Sequence, residues 1–423
     1  NFLAGYGFVQ LAKIQFEGDR SSNIESLLYR ALAIYEESIG KDNELFLNCL
    51  DLLGSFYFVR NRFDESLESH QQSLEGFEKL LGPNHPTVAV GLTNIAKVYS
   101  RQARYADAME QLQLSLLISE RALGSDHPDV ASALNKIAFV YAQQGRYEKA
   151  LELHQRSLTI SEKVLGPDHT NVAMSLNNIA DTYTKLGRYL KAQDFFQRAL
   201  VVYEEALGKH HPQVALIISN IGVTYEKQGS YEKAIGFHRR SLTIREKALG
   251  PNHIAVAETL NNIAVVTTHQ GNYGSAFELL RRSLAIEEKA LGRDHPDVAR
   301  ILNNIGHNLE KQGLYAKSLV FHQRSLQINE KALGPNHPSL ARDLNNIALN
   351  YTHQGRYEAA LKLFRRSLAI NEKALGRDHP DVALALNNIG FTSTTQGRYA
   401  NALEHYQRSL QINEKALGPN HPS

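Results

Sequence analysis

Tryptophan is absent from the 423 residues, methionine occurs twice and cysteine once. One thiol, Cys49, cannot close an intramolecular disulfide, so no oxidised framework holds this chain and a reducing compartment, the cytoplasm, is expected. No run approaches the roughly 18 apolar residues that a membrane-crossing helix needs. An excess of one charge is lacking too. The 46 basic and 44 acidic residues leave a net charge of +2, which gives no overall field toward nucleic acid or an anionic membrane. Phosphate-cradling glycine loops, His-Glu-x-x-His and Gly-x-Ser-x-Gly are all missing, so neither catalysis nor a cofactor is expected of these residues. Asn1-Phe2-Leu3 opens inside a helical pattern, without an initiator methionine or a basic leader, and reads as the start of a piece of a longer protein.

What the chain has is one phrase in many copies. Leu123-Gly124-Ser125-Asp126-His127-Pro128 returns as Leu165-Gly166-Pro167-Asp168-His169, Leu291-Gly292-Arg293-Asp294-His295-Pro296 and Leu375-Gly376-Arg377-Asp378-His379-Pro380. The glycine falls every 42 residues, from Gly40 through Gly82 and Gly208 to Gly418, with no insertion or deletion. Such regularity predicts a solenoid, each unit burying its apolar face only against its neighbours. Removing one whole unit, such as residues 254–295, should then keep every interface type.

Punctuation sets the elements within one period. Pro128 suits a first helical position, where its missing N–H is not needed, and Val130, Leu134, Ile137, Ala138 and Tyr141 follow helical spacing. Gly145-Arg146-Tyr147 ends this helix A. Ala150, Leu151, His154, Leu158 and Val164 then mark an amphipathic helix B, which Leu165-Gly166 ends. A connection of about four residues forces antiparallel packing, so about ten such hairpins are expected.

The spacing resembles the tetratricopeptide repeat, in its 42-residue, kinesin-light-chain-like form that also occurs in large bacterial signalling proteins. Leu134, Ile137, Ala138 and Tyr141 match the family's helix A, with leucine where tryptophan is usual, and Ala150, His154 and Ser157 match helix B. The resemblance implies an all-α solenoid superhelix over residues 1–423, with A helices on a concave wall and B helices outside. It also implies a non-catalytic scaffold that binds an extended peptide or partner protein in that groove. The alternative is a structural or sensor arm of a larger signalling protein.

A helical wheel puts Ser132, Asn135, Lys136, Phe139, Ala142 and Gln143 opposite the core stripe. Asparagines recur on this side: the pairs Asn177/Asn178, Asn261/Asn262, Asn303/Asn304, Asn345/Asn346 and Asn387/Asn388, and singly Asn94, Asn135 and Asn220. An amide donates and accepts, so such a ladder can pair with an extended peptide backbone; amide contacts that set repeat stacking are the competing reading. A flanking row that includes Lys185, Lys227 and Lys311 suggests an acidic or carboxylate-bearing ligand.

Other recurrent residues point to structure. One histidine per period, His85 to His421, stands too far from the next to share a metal, so no metal site is expected, and the preceding Asp126, Asp168, Asp294 or Asp378 reads as the polar partner of the helix start. Helix-B arginines lie four residues after acids, as Arg156 after Glu152, Arg198 after Asp194, Arg282 after Glu278 and Arg408 after Glu404, the favourable order for pairing within a helix. Binding of nucleic acid would need such arginines to form a continuous stripe with aromatic platforms, and the near-neutral total argues against it. Cys49 shares the apolar pattern of Phe46, Leu50 and Leu53 and reads as a packed thiol. Residues 1–60 diverge, with Ser21 in the Tyr147 position, Asp51-Leu52 for the asparagine pair and Asn43-Glu44 for His-Pro. At the other end Leu417-Gly418-Pro419-Asn420-His421-Pro422-Ser423 begins a connection with no helix after it, which leaves end-to-end packing between copies open.

Overall fold

The computed structural model describes residues 2–17 and 23–418, so Ser21, His421 and the connection from Pro419 onward lie outside the described residues. The described residues form twenty helices and no strand. In order these are α1 (Phe2–Glu17), α2 (Ile24–Ile39), α3 (Glu44–Val59), α4 (Phe63–Leu81), α5 (Pro86–Arg101), α6 (Tyr105–Leu123), α7 (Pro128–Gln143), α8 (Tyr147–Leu165), α9 (Thr170–Lys185) and α10 (Tyr189–Leu207). There follow α11 (Pro212–Lys227), α12 (Tyr231–Leu249), α13 (Ile254–His269), α14 (Tyr273–Leu291), α15 (Pro296–Lys311), α16 (Tyr315–Leu333), α17 (Pro338–His353), α18 (Tyr357–Leu375), α19 (Pro380–Thr395) and α20 (Tyr399–Leu417). Odd numbers are A helices and even numbers B helices. Contacts group the chain into two compact units, Asn1–Val140 and Tyr141–Ser423, with the boundary inside α7.

Two backbone devices repeat. At the A–B turn Gly145 takes φ 71°, and Arg146 N–H reaches back to the Tyr141 carbonyl at 2.9 Å, a left-handed helix end that needs no Cβ. Asn61 and Ala103 take the same conformation in the first unit, at the strain cost of a side chain there. The arginine after the turn then stacks on the tyrosine it has just passed, as Arg356 does on Tyr351 at 4.1 Å. At the end of B, glycines such as Gly166 (φ 84°, ψ 158°) sit where only glycine is comfortable, and the chain turns into the next A helix.

That next helix is capped by histidine. The Nδ1 of His85, His127, His169, His211, His253, His295, His337 and His379 accepts the backbone N–H two residues on, at 3.0 to 3.3 Å. Two of the aspartates expected in that role from the sequence do other work: Asp294 pairs with Lys331 at 2.7 Å and Asp378 with Lys415, each on the following B helix. The imidazole takes the cap because it stands directly before the first helical turn, whereas the aspartate is one residue too early.

Within a repeat, A and B are pinned by a buried serine. Ser241, Ser283, Ser367 and Ser409 donate to the carbonyls of Ala215, Ala257, Ala341 and Ala383 at 2.7 to 2.8 Å. Nearer the start of helix B, the large side chain facing helix A follows a size rule. His70, His238, His322 and Tyr406 stand over Gly54, Gly222, Gly306 and Gly390, whereas Phe196, Leu280 and Phe364 share clusters with Ala180, Ala264 and Ala348. A big ring takes the room the glycine leaves. His154, sixteen residues after Ala138, is the exception to the pairing of histidine with glycine.

In the first unit Leu28, Tyr35, Leu53 and Val88 anchor one apolar cluster; in the second, Leu176, Ile179, Phe196, Ile217 and Ile218 anchor another. The second unit also meets itself across most of its length. A Cβ on Gly145 would stand 2.9 Å from Pro380 Cδ and 3.1 Å from His379 Cδ2, and a cavity of about 530 Å³ lies beside this contact.

Candidate functional site

Each A helix carries one stripe that no other helix covers fully. Its positions are spaced four, three and four residues apart. In α9 they are Met174, Asn178, Asp181 and Lys185; in α11 Leu216, Asn220, Val223 and Lys227; in α13 Glu258, Asn262, Val265 and His269. In α15 they are Arg300, Asn304, His307 and Lys311; in α17 Arg342, Asn346, Leu349 and His353; in α19 Leu384, Asn388, Phe391 and Thr395. All are exposed or half-buried, and the stripe mixes apolar, amide and basic groups with two acids, Asp181 and Glu258. The first unit offers Val90, Asn94, Lys97 and Arg101 on α5, and Ser132, Lys136 and Phe139 on α7.

The asparagines do not all face outward. Asn135, Asn261 and Asn303 are buried, as is Ala142, so this flank of the wheel belongs to the seam between repeats and not to the open side. Hydrogen bonds across the seam hold the inner amides there. Asn220 donates to Asn177 at 2.9 Å, Asn304 to Asn261 at 2.7 Å, Asn346 to Asn303 at 3.3 Å and Asn388 to Asn345 at 2.9 Å. The second asparagine of one repeat thus reads the first of the repeat before, 43 residues back. Asn262 finds Ser219 instead at 3.5 Å, and Asn177 also turns to Asn178 at 3.4 Å. In the divergent repeat Asp51 takes the asparagine's place, accepting from Asn94 at 3.0 Å and meeting His70 Nδ1 at 2.7 Å. Asn387 is exposed, with no following repeat among the described residues to bond it.

The cationic row is present on the stripe. Lys185 pairs with Asp181 at 3.1 Å, whereas Lys227 and Lys311 are exposed and form no ion pair among the described residues. Partial burial, then Lys227 and Lys311, pull His269 below its ordinary value, and burial with Lys311 and His269 brings His307 down to about 4. Cys49 is 1% exposed and burial pushes its thiol to about 12, which keeps it inert. No group of three histidine, cysteine or acidic side chains gathers among the described residues.

On the B helices the arginines pair between repeats, not within a helix as the four-residue spacing suggested. Arg198 reaches Glu162 at 3.4 Å, Arg240 Glu204 at 2.7 Å, Arg282 Glu246 at 2.7 Å, Arg324 Glu288 at 2.6 Å and Arg366 Glu330 at 2.8 Å, and Arg408 meets Glu372. Glu278 pairs with Arg281, three residues on, at 3.5 Å. The glutamate near the end of the previous B helix presents a carboxylate across the seam, and the neighbouring helix lies closer to it than the arginine's own turn allows.

One column escaped the sequence reading. At the position of Ser161 stand Tyr203, Arg245, Glu287, Asn329 and Asn371, each meeting the next A helix. Arg245 is 3% exposed and donates to the Ala255 carbonyl (2.7 Å), Glu258 (2.8 Å) and Thr259 (2.9 Å). Glu287, raised to about 7 by burial, meets Arg300 at 3.3 Å. Asn329 donates to buried Asp343 at 2.7 Å. The available signal was variation: several different polar residues in one column of otherwise near-identical repeats.

Tetratricopeptide repeat models match residues 46–121, 129–205, 171–247, 213–289, 255–317 and 297–373, and further models of the same repeat match 93–163 and 382–423. No curated protein sequence is similar enough to the chain to count as a match. Among solved structures, a Rap protein complexed with Competence and Sporulation Factor superposes with a TM-score of 0.58 at 15% identity, over 88% of this chain and 98% of that one. BtubC (BKLC) from P. vanneervenii gives a TM-score of 0.46 at 21% identity, over 54% of this chain and 92% of that one. A Podosopora anserina protein described as a kinesin light chain, of nearly identical TPR-like repeats, gives 0.40 at 21% identity, over 48% and 97%. The likeness to Rap shows the fold.

Proposed function

The chain belongs to the tetratricopeptide repeat family, and on that premise we propose that it is a non-catalytic, cytoplasmic interaction scaffold that holds an extended peptide segment of a partner along the A-helix stripe. The observation that carries this reading is the stripe itself: successive A helices leave apolar Val223, Val265, Leu349 and Phe391 in register with amides and unpaired lysines. Apolar side chains give contact area, while amides and cations fix register and sign, as a segment with alternating side chains requires. Lys227 and Lys311 favour an acidic segment.

The amides enter this reading in reduced form. Asn178, Asn220, Asn262, Asn304, Asn346 and Asn388 are half-buried, and each retains capacity for a ligand backbone, since an amide offers two donors and two lone pairs. Asn94 has the same place on α5. Asn177, Asn261, Asn303 and Asn345 hold the seam behind them. A protein of the same fold, Rap, is known in complex with Competence and Sporulation Factor, which supports a binding role at the level of the fold only.

The second reading, an arm that transmits assembly in a larger protein, draws on the same asparagine ladder, because amides bonded from repeat to repeat stiffen an array. The two separate by experiment. Replacing Val223, Val265 and Leu349 together by arginine should abolish partner pull-down with an unchanged melting temperature if the stripe binds. Replacing Asn262, Asn304 and Asn346 by alanine should chiefly lower the melting temperature. Partner capture that survives the arginine variant would contradict the groove reading.

A further inference from the structure

We propose that the cavity of about 280 Å³ between α17, α18 and α19 receives a carboxylate of the bound segment, in the place that the protein's own Asp343 fills one repeat earlier. This rests on the groove reading and specifies one contact within it.

The template is the junction of α15, α16 and α17. Asp343 is wholly buried there, and three groups converge on its carboxylate: the Asn303 amide, the Ser325 hydroxyl at 2.9 Å and the Asn329 amide at 2.7 Å. Forty-two residues later all three donors recur, as Asn345, Ser367 and Asn371. The acid does not. Ala385 stands in the Asp343 position, and its methyl group leaves the space that the cavity occupies.

Ser367 gives its one proton to the Ala341 carbonyl at 2.7 Å, but the two amides at this second junction are only partly used. Asn345 accepts from Asn388 through its oxygen, while its NH₂ donates to nothing among the described residues. Asn371 is 6% exposed; its NH₂ makes a 3.3 Å bond to the Asp381 carbonyl, and its Oδ1 is buried without a partner. A buried amide with an orphaned end is costly unless a ligand satisfies it. Turning the amide over gives up the long bond to Asp381 and aims the NH₂ at the cavity, the arrangement Asn329 shows toward Asp343.

The mouth and the charges suit the same ligand. Exposed Arg342 and Leu384 line the cavity from the A-helix stripe, so a side chain can enter from a segment lying there. Arg342 forms no ion pair among the described residues and adds a guanidinium, the group best shaped for a carboxylate. Asp381 is the opposing charge in the lining. Its carboxylate stands 3.9 Å from His379 Nδ1 and is 58% exposed, which screens it. A glutamate side chain, with an apolar stem along Ala341 and Leu384 and its head among Asn345, Ser367 and Asn371, matches this lining.

The test fills the site from within. Ala385→Asp should rebuild the Asp343 arrangement and so fold at least as well as the parent. The probes are a fluorescein-labelled Gly-Glu repeat octapeptide, its Gly-Gln counterpart, and acetate. The parent should bind the glutamate peptide at least tenfold more tightly than the glutamine peptide, and Ala385→Asp should remove that preference. Acetate should raise the parent's melting temperature above a chloride control of equal ionic strength, and not that of Ala385→Asp. Because a new buried acid can prevent folding, Arg342→Ala, at an exposed side chain, serves as the second variant and should weaken only the glutamate peptide, about threefold or more. Acetate stabilisation without glutamate-peptide preference would assign the cavity to a free small carboxylate and overturn the peptide source. If both variants bind the glutamate peptide as the parent does, while the Val223, Val265 and Leu349 arginine variant does not, the cavity is excluded and the groove reading stands. If no variant alters peptide binding, both fall.

Discussion

Adding one methyl group at Gly306 should have the opposite effect to adding it at Gly236, although both glycines lie within helices. A Cβ on Gly306 would stand 2.5 Å from His322 Cε1 and 2.6 Å from Nε2, far inside contact distance. The ring cannot swing away freely, since its Nδ1 is bonded to Asn303 Oδ1 at 2.8 Å and the side chain is wholly buried. Overpacking of this kind costs about 1–3 kcal/mol, and a displaced ring forfeits a hydrogen bond worth about 1 kcal/mol. Against this, alanine gains about 1 kcal/mol over glycine in a helix interior. Gly306→Ala should therefore destabilise by about 1–3 kcal/mol, whereas Gly236→Ala, with nothing within 4 Å of the new Cβ, should stabilise by up to about 1 kcal/mol. Urea unfolding followed by circular dichroism reads both. Adding His322→Leu to Gly306→Ala copies the Ala264 and Leu280 pair already present and should recover most of the loss. A Gly306→Ala protein as stable as Gly236→Ala would refute the size rule.

Burial holds His154, His238 and His322 at about 4, below the ordinary 6.5, so the unfolded chain binds their protons first and stability falls as pH drops from about 6.5 to about 4. Each loses on the order of 3 kcal/mol over that window, and a His154→Phe, His238→Tyr, His322→Tyr variant, patterned on Phe196 and Tyr406, should show a shallower slope of urea midpoint against pH; an unchanged slope places the titrating groups elsewhere. Deleting residues 254–295 should not be neutral, since it sets Arg245 against Arg300 and Ile301 in place of Glu258 and Thr259 and takes the carboxylate partner from a buried cation, a loss of about 3–5 kcal/mol. Arg245→Glu in the shortened chain should restore the fold by copying Glu287 and Arg300, and a melting curve that shows no rescue contradicts the column's role. Cys49, raised to about 12, should react with a thiol reagent only as fast as the protein opens; rapid labelling under native conditions contradicts its burial.

The helices and their order could be read from the residues because both obey local rules: proline at helix starts, glycine where φ is positive, and apolar spacing near 3.6. The histidine of Asp-His-Pro is plain in the sequence, but its place as the cap, ahead of the aspartate, depends on a one-residue offset in backbone geometry that spacing does not resolve. The helix-B arginines and the inner asparagines mislead for another reason. Their partners lie 36 or 43 residues away, at distances set by how repeats stack, and a wheel drawn on a single helix cannot contain them. The same limit hides Asp343. In the sequence it is an acid among glycine, alanine, cysteine, serine, threonine and isoleucine at its column; only across the seam does it become the centre of a hydrogen-bonded cluster.

Photocrosslinking from single positions tests the binding stripe most directly. A benzoylphenylalanine at Val223, Val265 or Leu349 faces the proposed segment, and one at Arg239, Arg281 or Arg365 lies exposed on the B helices. The three stripe positions should capture the same partner and the three outer positions should not, and mass spectrometry should place the crosslinks in order along one continuous stretch of the partner. Equal capture from the outer positions, or crosslinks scattered over distant parts of a folded partner, would contradict a segment bound along the A helices.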